Sequence, residues 1–482
     1  MKSKSVKGMA WVGIESLATQ VIRFAIGIVM ARLLVPSDYG VVGMLGIFIG
    51  ISSIFIDSGF GAALIQKKDR TEVDYSTVFY FNLVVACGCY AILFVSAPVI
   101  AGFYRMPVLA DVCRVVALGL PLGALGTIQR SRLTIELNFR TQTVVSLVSL
   151  LSSGGLGIAL AYSGCGVWAL VWQGIASGAI SIVLLWSFSK WRPMFAFSVE
   201  SFRRFFSYGW KHLCSSLINN VYANIYTIVI GKAFGASDIG YFTRAEGYAA
   251  LPARTVTDMV VRVNFPILSR LQDDRSALVA AYRNMLRAPM FLLVPMLFGL
   301  ASAAGPLVEV MIGEKWLPCV PFLQILCVGM VFNPLTLINL NLLYVKGRTD
   351  CVLKLELVKK PIAFAIVLGM IPFGIFWMCV GKAVYDFIAF AFNCYYTKKL
   401  LDYGLWAQLR DVFPVFCYGL VMASAMRLAM SAFSGAWAKV GVGATVGASV
   451  YFIVAAIARD ESLAELWRLA RSRLGGCVRR HG

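Results

Sequence analysis

Stretches of about twenty apolar residues, each able to cross about 30 Å of hydrocarbon as a helix, follow one another almost without pause from residue 11 to residue 458. A lipid-spanning segment must satisfy its backbone polar groups internally, so a chain built of such stretches folds as membrane helices. About fourteen spans are expected on this criterion, the first near 11–33, the eighth near 239–262 and the last near 436–458. Composition agrees. Of the 482 residues 59% are hydrophobic and 14% charged, with a mean hydropathy of +0.77, which excludes a soluble globular fold.

The net charge of +20 is distributed as topology rather than as a nucleic-acid surface. Cations gather in alternate loops: Lys2, Lys4 and Lys7; Lys67, Lys68 and Arg70; Arg130, Arg132 and Arg140; Lys190, Arg192, Arg203 and Arg204. The alternation continues with Arg270, Arg275, Arg283 and Arg287, then Lys346, Arg348, Lys354, Lys359 and Lys360, then Lys398, Lys399 and Arg410. The other side holds Arg32, Arg105, Lys232, Lys315 and Lys439. The positive-inside rule then places both termini in the cytoplasm. The first apolar stretch carries Glu15 and Arg23 and has no short apolar core followed by a small-residue cleavage site, so it is expected to remain as the first span. The cysteines are scattered without a CxxC pair, and His212 and His481 stand alone, so no metal site or disulfide framework is expected.

Two stretches 200 residues apart match. Ile28-Val29-Met30-Ala31-Arg32 leads to Ser37-Asp38-Tyr39-Gly40, and Ile228-Val229-Ile230-Gly231-Lys232 leads to Ser237-Asp238-Ile239-Gly240. Weaker echoes pair Pro98 with Pro306 and Pro121 with Pro334. Six spans separate the matched ones, so both copies enter the membrane in the same sense. That is a parallel repeat, related by an axis along the membrane normal.

The same residues carry a family resemblance. Ala31-Arg32-Leu33-Leu34 with Pro36, Asp38 and Gly40, then Asp57-Ser58-Gly59-Phe60-Gly61-Ala62-Ala63-Leu64-Ile65-Gln66, are two of the matching stretches. Gly166-Val167-Trp168-Ala169-Leu170-Val171, Trp191-Arg192-Pro193, Phe265-Pro266 with Ser269-Arg270-Leu271-Gln272-Asp273-Asp274, and Gly313-Glu314-Lys315-Trp316 follow in order. Over roughly residues 10–400 the chain resembles the polysaccharide flippases of the multidrug/oligosaccharidyl-lipid/polysaccharide exporter superfamily, in the colanic-acid-exporter-like branch. The resemblance implies an all-α polytopic membrane protein, V-shaped around a central cavity. Its bundles of six helices would cover 1–195 and 196–400, with two further helices in 401–459 and a basic cytoplasmic tail in 460–482. It further implies translocation of an undecaprenyl-diphosphate-linked oligosaccharide from the cytoplasmic to the periplasmic leaflet of the inner membrane. Membrane lipids, glycosyltransferases and a polysaccharide polymerase are the implied partners, with no nucleic acid.

Site residues come from charge placement, not from the resemblance. On the eighth span Arg244, Arg254, Asp258 and Arg262 share about 80° of arc at 100° per residue, although Pro252 can kink the helix and shift the phase of Arg244. A guanidinium at the bilayer centre costs roughly 2.5–3.5 kcal/mol on the insertion scale, so these cations imply a wet cavity that accepts an anion. Arg23 lies mid-span in the first helix. Arg23, Arg254, Arg262 and Arg244 are therefore the candidate substrate-binding residues, suited to a diphosphate by bidentate hydrogen bonding. The competing reading is neutralisation, since Arg254 and Arg262 each stand four residues from Asp258.

Glu246, Asp258, Glu15 and Asp57 are candidate ion-coupling carboxylates for H⁺ or Na⁺, with Glu246 preferred to Asp258 because it has no arginine four residues away. No other cofactor is expected. Lys382 and Asp386, and Asp111 and Arg114, read as structural pairs at helical spacing. Trp191 and Trp316, with other aromatic residues near span ends, read as interfacial anchors. Gly154, Gly155 and Gly157, and Gly441 and Gly443 with Gly447, read as close helix packing. The tail from Asp460 reads as an amphipathic helix on the anionic inner leaflet. A cation-drug exporter is disfavoured by the basic mid-span excess, and a membrane polymerase by short outer loops without an acid pair. A flippase for another polyprenyl-linked glycan, a peptidoglycan precursor or a teichuronic-type polymer, is the main alternative.

Overall fold

The computed structural model describes residues 2–67, 69–189, 191–271 and 274–463, with side chains from residue 18 onward apart from 62, 66, 208, 211, 212, 258, 259, 261–267, 269 and 349. It is 88% helical. Two compact units divide at Gly240 and Tyr241. The first contains α1 (Lys2–Leu33), α2 (Pro36–Asp57), α3 (Phe60–Gln66), α4 (Glu72–Tyr104), α5 (Val108–Ala117), α6 (Gly119–Ile135), α7 (Phe139–Tyr162), α8 (Val167–Phe188), α9 (Val199–Ala233) and the start of α10 (Ala236–Arg270). The second holds the rest of α10 with α11 (Arg275–Ser302), α12 (Ala304–Ile312), α13 (Val320–Met330), α14 (Phe332–Val345), α15 (Thr349–Met370), α16 (Ile375–Leu401), α17 (Leu405–Ser431) and α18 (Ala436–Ile457).

Among the described residues, 11 segments are long and apolar enough to cross a membrane. The spans expected near 11–33, 239–262 and 354–374 fall outside that set but are helical, as α1, α10 and α15. The fourth and tenth expected spans are each two helices, broken at Leu118 and Val331. Proline explains both breaks, because it has no N–H and its ring crowds the carbonyl four residues back. Pro121 stands four residues after Ala117, where α5 ends, and Pro334 four after Met330, where α13 ends. The paired prolines of the repeat thus mark paired helix breaks. Pro306 likewise follows Ser302, the last residue of α11, whereas its counterpart Pro98 lies inside an unbroken α4.

Polar side chains start the helices. Thr71 and Asp74 cap α4 reciprocally, with the Asp74 N–H donating to Thr71 Oγ1 at 3.2 Å and the Thr71 N–H to Asp74 Oδ2 at 2.8 Å. Asp274 accepts from the N–H groups of Ser276 and Ala277 at 3.0 Å ahead of α11. Those bonds, the one from Ala277 foremost, hold the Asp274 carboxyl below its ordinary range. Pro36 opens α2, where the Asp38 carboxylate accepts from the Val35 N–H at 3.2 Å.

In the first unit α1 lies on α7, with Ile26 set against Gly154, and α7 lies on α8, with Gly157 against Gln173. The close-packing reading of this glycine set is borne out at Gly154 and Gly157, whereas Gly155 has open space around it. An aromatic core of Phe60, Phe79, Trp191 and Phe205 forms a further buried cluster of the unit. The segment 189–198 is strapped over α4: the Trp191 indole donates to Glu72 at 2.6 Å, the Met194 N–H to Ser76 Oγ at 3.0 Å and the Ser198 N–H to Thr77 Oγ1 at 3.0 Å. Trp191 is 5% exposed and so is core, not the interfacial anchor expected. From that strap α9 runs along α2.

In the second unit α17 and α18 pack through Gly443 and Gly447, which lie under Met430 and Met426 as the GxxxG spacing anticipates. The same pair is fixed to α11. Arg283 grips Asp411 bidentately at 2.7 and 2.8 Å, and Arg287 reaches Asp460 at 2.7 Å and Glu461 at 3.2 Å. The last two spans therefore belong to the second unit by packing. The tail expected as an amphipathic helix lies, from residue 464, outside the described residues.

Candidate functional site

The charged helix α10 and its neighbours define the candidate site in the second unit. Arg244, near its start, is half-buried with its guanidinium 6.0 Å from the ring centroid of Trp316, a cation–π arrangement. Trp316 is itself fully buried, edge-on to Tyr241 at 6.1 Å. It is a core residue, not an interfacial anchor. The Tyr241 hydroxyl donates to the Lys315 carbonyl at 3.3 Å, which fixes the Gly313-Glu314-Lys315-Trp316 turn against α10. Gly313, at φ 94°, gives that turn a backbone conformation glycine favours.

Half a turn further, Glu246 forms an ion pair at 3.2 Å with Lys382 of α16. The i,i+4 pairing of Lys382 with Asp386 expected from spacing is replaced by this tertiary one. Asp386 instead directs its carboxylate at α13, where its Oδ2 is 3.0 Å from the place a Cβ on Gly329 would take. The expected Asp111–Arg114 pair does form, at 3.4 Å. Further along α10 Arg254 is exposed and makes no hydrogen bond or ion pair with another described residue. The side chains of Asp258 and Arg262 lie outside the described set, and of the two that are described Arg244 packs on Trp316 while Arg254 is exposed.

In the first unit Arg23 is exposed on α1 and likewise without a hydrogen-bond or ion-pair partner among the described residues. Asp57, exposed at the end of α2, lies where Ser58 and Gly59 turn the chain through φ 43° and 71° into α3. Glu15 falls on α1 among residues whose side chains are not described. The structure thus gives Arg244 and Glu246 partners, leaves Arg23 and Arg254 unpartnered among described residues, and brings Lys382 to the site unforeseen. Spacing rules see partners three or four residues away, and Glu246 and Lys382 are brought together by helix packing alone.

A second polar group escaped the sequence reading entirely. Lys359, counted there with the cytoplasmic loop cations, is 3% exposed inside the second unit, paired with Glu356 at 2.7 Å and donating to Asn393 Oδ1 at 3.1 Å. Asn393 donates on to the Thr336 carbonyl at 3.1 Å. No apolar-run or charge-alternation criterion separates such a lysine from its exposed neighbours.

Comparison with known proteins agrees with this architecture. Residues 29–321 match the family described as "Polysaccharide biosynthesis protein". The teichuronic acid biosynthesis protein TuaB of Bacillus subtilis is 30% identical over 348 residues, 72% of each chain. The succinoglycan biosynthesis transport protein ExoT of Rhizobium meliloti is 24% identical over 97% of this chain and 96% of its own. Among solved structures the lipid II flippase MurJ, in an inward closed conformation, superposes with a TM-score of 0.73 at 14% identity, covering 92% of this chain and 98% of MurJ.

Proposed function

The chain belongs to the polysaccharide biosynthesis protein family, within the exporter superfamily it resembles, and from that premise we propose that it flips an undecaprenyl-diphosphate-linked oligosaccharide across the bacterial inner membrane. At the coarser level it is a multi-pass membrane protein with a flippase- or transporter-like role in polysaccharide biosynthesis. The observation that carries the finer reading is the pair of exposed guanidinium groups, Arg23 and Arg254, without partners among the described residues of a chain otherwise built to cross lipid. Charge so placed is stable only where water or an anion meets it. A sugar diphosphate supplies two or more negative charges, and guanidinium accepts such groups with paired, charge-assisted hydrogen bonds.

The mechanism we propose is alternating access, with Arg23 in the first unit and Arg254, Arg244 and Arg262 in the second as the diphosphate-binding residues while the path opens in turn to each leaflet. A diphosphate bound better in one state than in the other shifts the balance between them. Coupling to H⁺ or Na⁺ through Glu246, Asp258, Glu15 or Asp57 belongs to this proposal, as do glycosyltransferase and polymerase partners. The likeness to TuaB makes a teichuronic-type glycan the second reading of the cargo.

Replacing Arg23 or Arg254 with Ala removes a charge-assisted contact of about 1.5–3 kcal/mol, so surface-polysaccharide export should fall about tenfold or more at limiting substrate. Arg→Lys should restore only part of it, since an ammonium lacks the planar fork. Normal export by both Ala variants at matched membrane abundance would refute the assignment.

A further inference from the structure

The strap at 189–198 hides one aromatic residue and displays others. Trp191 turns into the core, but Phe195 is fully exposed and Met194 and Phe197 are about half exposed. They lie on a segment pinned from beneath, since the N–H groups of Met194 and Ser198 are held by Ser76 and Thr77 of α4. The patch continues into α9. Phe197, Phe202 and Phe206 stand in line at centroid distances of 6.1 and 5.7 Å. Val199, Arg203, Phe206 and Trp210 are all exposed and share about 60° of arc at 100° per residue. A contiguous apolar patch of this kind requires something to cover it.

Two observations fix the depth of the patch. The part of α9 long and apolar enough to cross a membrane is Leu213–Ala233, so the stretch bearing Arg203, Phe206 and Trp210 precedes the hydrocarbon. Residues 191–198 contain no helix among those described, and irregular backbone facing lipid is not tolerated in the hydrocarbon core. Bulk water is no place for so much exposed aromatic surface. The headgroup region between the two accepts aromatic rings interleaved with basic residues, and by the positive-inside argument the leaflet is the anionic cytoplasmic one. The charges agree. Arg192 is engaged within the fold, donating to the Ser189 and Trp191 carbonyls at 2.9 and 2.8 Å, and Arg204 pairs with Glu200 at 3.1 Å. Arg203 makes no hydrogen bond or ion pair with another described residue and stands on the face of Phe206 and Trp210.

We propose that the strap and the first turns of α9 form an anchor seated in the cytoplasmic leaflet, with Phe195, Phe197, Phe206 and Trp210 among the headgroups and Arg203 on the phosphate of an anionic phospholipid. The anchoring role that position near a span end suggested for Trp191 falls instead to its neighbours. Because Met194 and Ser198 tie the strap to α4, the seat sets the depth at which α9 enters the membrane. It does not depend on what is carried.

The test reads the depth of a nitroxide on Phe195→Cys, in a variant whose native cysteines are replaced by serine, from its collisions with oxygen and with a water-soluble nickel complex in nanodiscs. With phosphatidylglycerol present, collisions with oxygen should exceed those with nickel. Arg203→Gln should then raise nickel collisions about fivefold, the contribution of one cation at an anionic surface, and leave them unchanged in discs of phosphatidylcholine alone. A label as open to nickel as one in water, or an Arg203→Gln variant that matches its parent in the anionic discs, overturns the proposal. Should the cysteine-free variant fail to fold, benzoylphenylalanine in place of Phe195 in the otherwise unaltered chain gives a second reading. Illumination in native membranes should join it to phospholipid, seen as the mass of one lipid added to the chain. Cross-linking to another protein, or no adduct, also overturns it.

Discussion

Asn339 and Gln408 exchange two amide hydrogen bonds of 3.0 Å in the second unit, and both side chains are fully buried. Asn339 also accepts from the Thr397 hydroxyl at 2.6 Å, which ties α14, α16 and α17 through one side chain. A buried amide deprived of its partner bears its whole desolvation cost, so Gln408→Leu should lower stability by about 1–3 kcal/mol. The double variant with Asn339→Leu should lose less than the sum of the two single losses. Thermal unfolding of the purified protein measures both, and strictly additive losses would show that the amides do not act as a pair. None of this network was legible in the sequence, where polar residues inside apolar spans look alike whether they face one another, a cavity or a neighbouring backbone. Arg23 and Arg254 were legible because their cost in lipid is so large that their mere presence demands an explanation. Lys382 was misread for the opposite reason: a carboxylate stood at helical spacing, and the structure chose another.

Helix contacts are where small-residue spacing proved most informative. Without a hydrophobic drive between helices in lipid, close approach through glycine supplies the dispersion contact that holds them. Gly443 and Gly447 meet Met430 and Met426, whereas Gly441 on the same helix has open space around it. Gly443→Leu or Gly447→Leu should therefore splay α18 from α17 and lower the melting temperature of the purified protein, and Gly441→Leu should leave it unchanged. Equal effects from all three would mean that helix propensity rather than packing decides. The recurrent prolines were legible only as echoes. Their meaning, a helix ending four residues before Pro121 and again before Pro334, needed the backbone. Trp191 and Trp316 were misplaced because position near a span end does not say whether an indole turns toward lipid or, as here, toward a core.

For the whole molecule, the alternation of Lys/Arg loops predicts one orientation. Reporter fusions after residues 70, 200 and 350 should report cytoplasm, and those near 105 and 315 periplasm; reversal at any two of these sites would discard it. The repeat was legible at the level of two short motifs, and the contact of Gly40 with Ala236 and Gly240 with Pro36 supports a parallel relation between them. The division of the chain into units was not legible in the same way. Sequence symmetry places a boundary at 195/196, where one copy ends, while packing divides the chain at 240/241.

That difference bears on synthesis. Since α9 lies along α2 and the strap at 189–198 is pinned to α4, the first unit is complete only after the ninth helix has entered the membrane. Until then the face of α2 bearing Gly46 and Gly50 lacks the helix that receives it. A ribosome pausing early in the second copy would leave that bare face to lipid or to another nascent chain, as membrane folding follows the order of emergence. The linker, tied to α4 by the Met194 and Ser198 N–H groups, sets where the ninth helix begins.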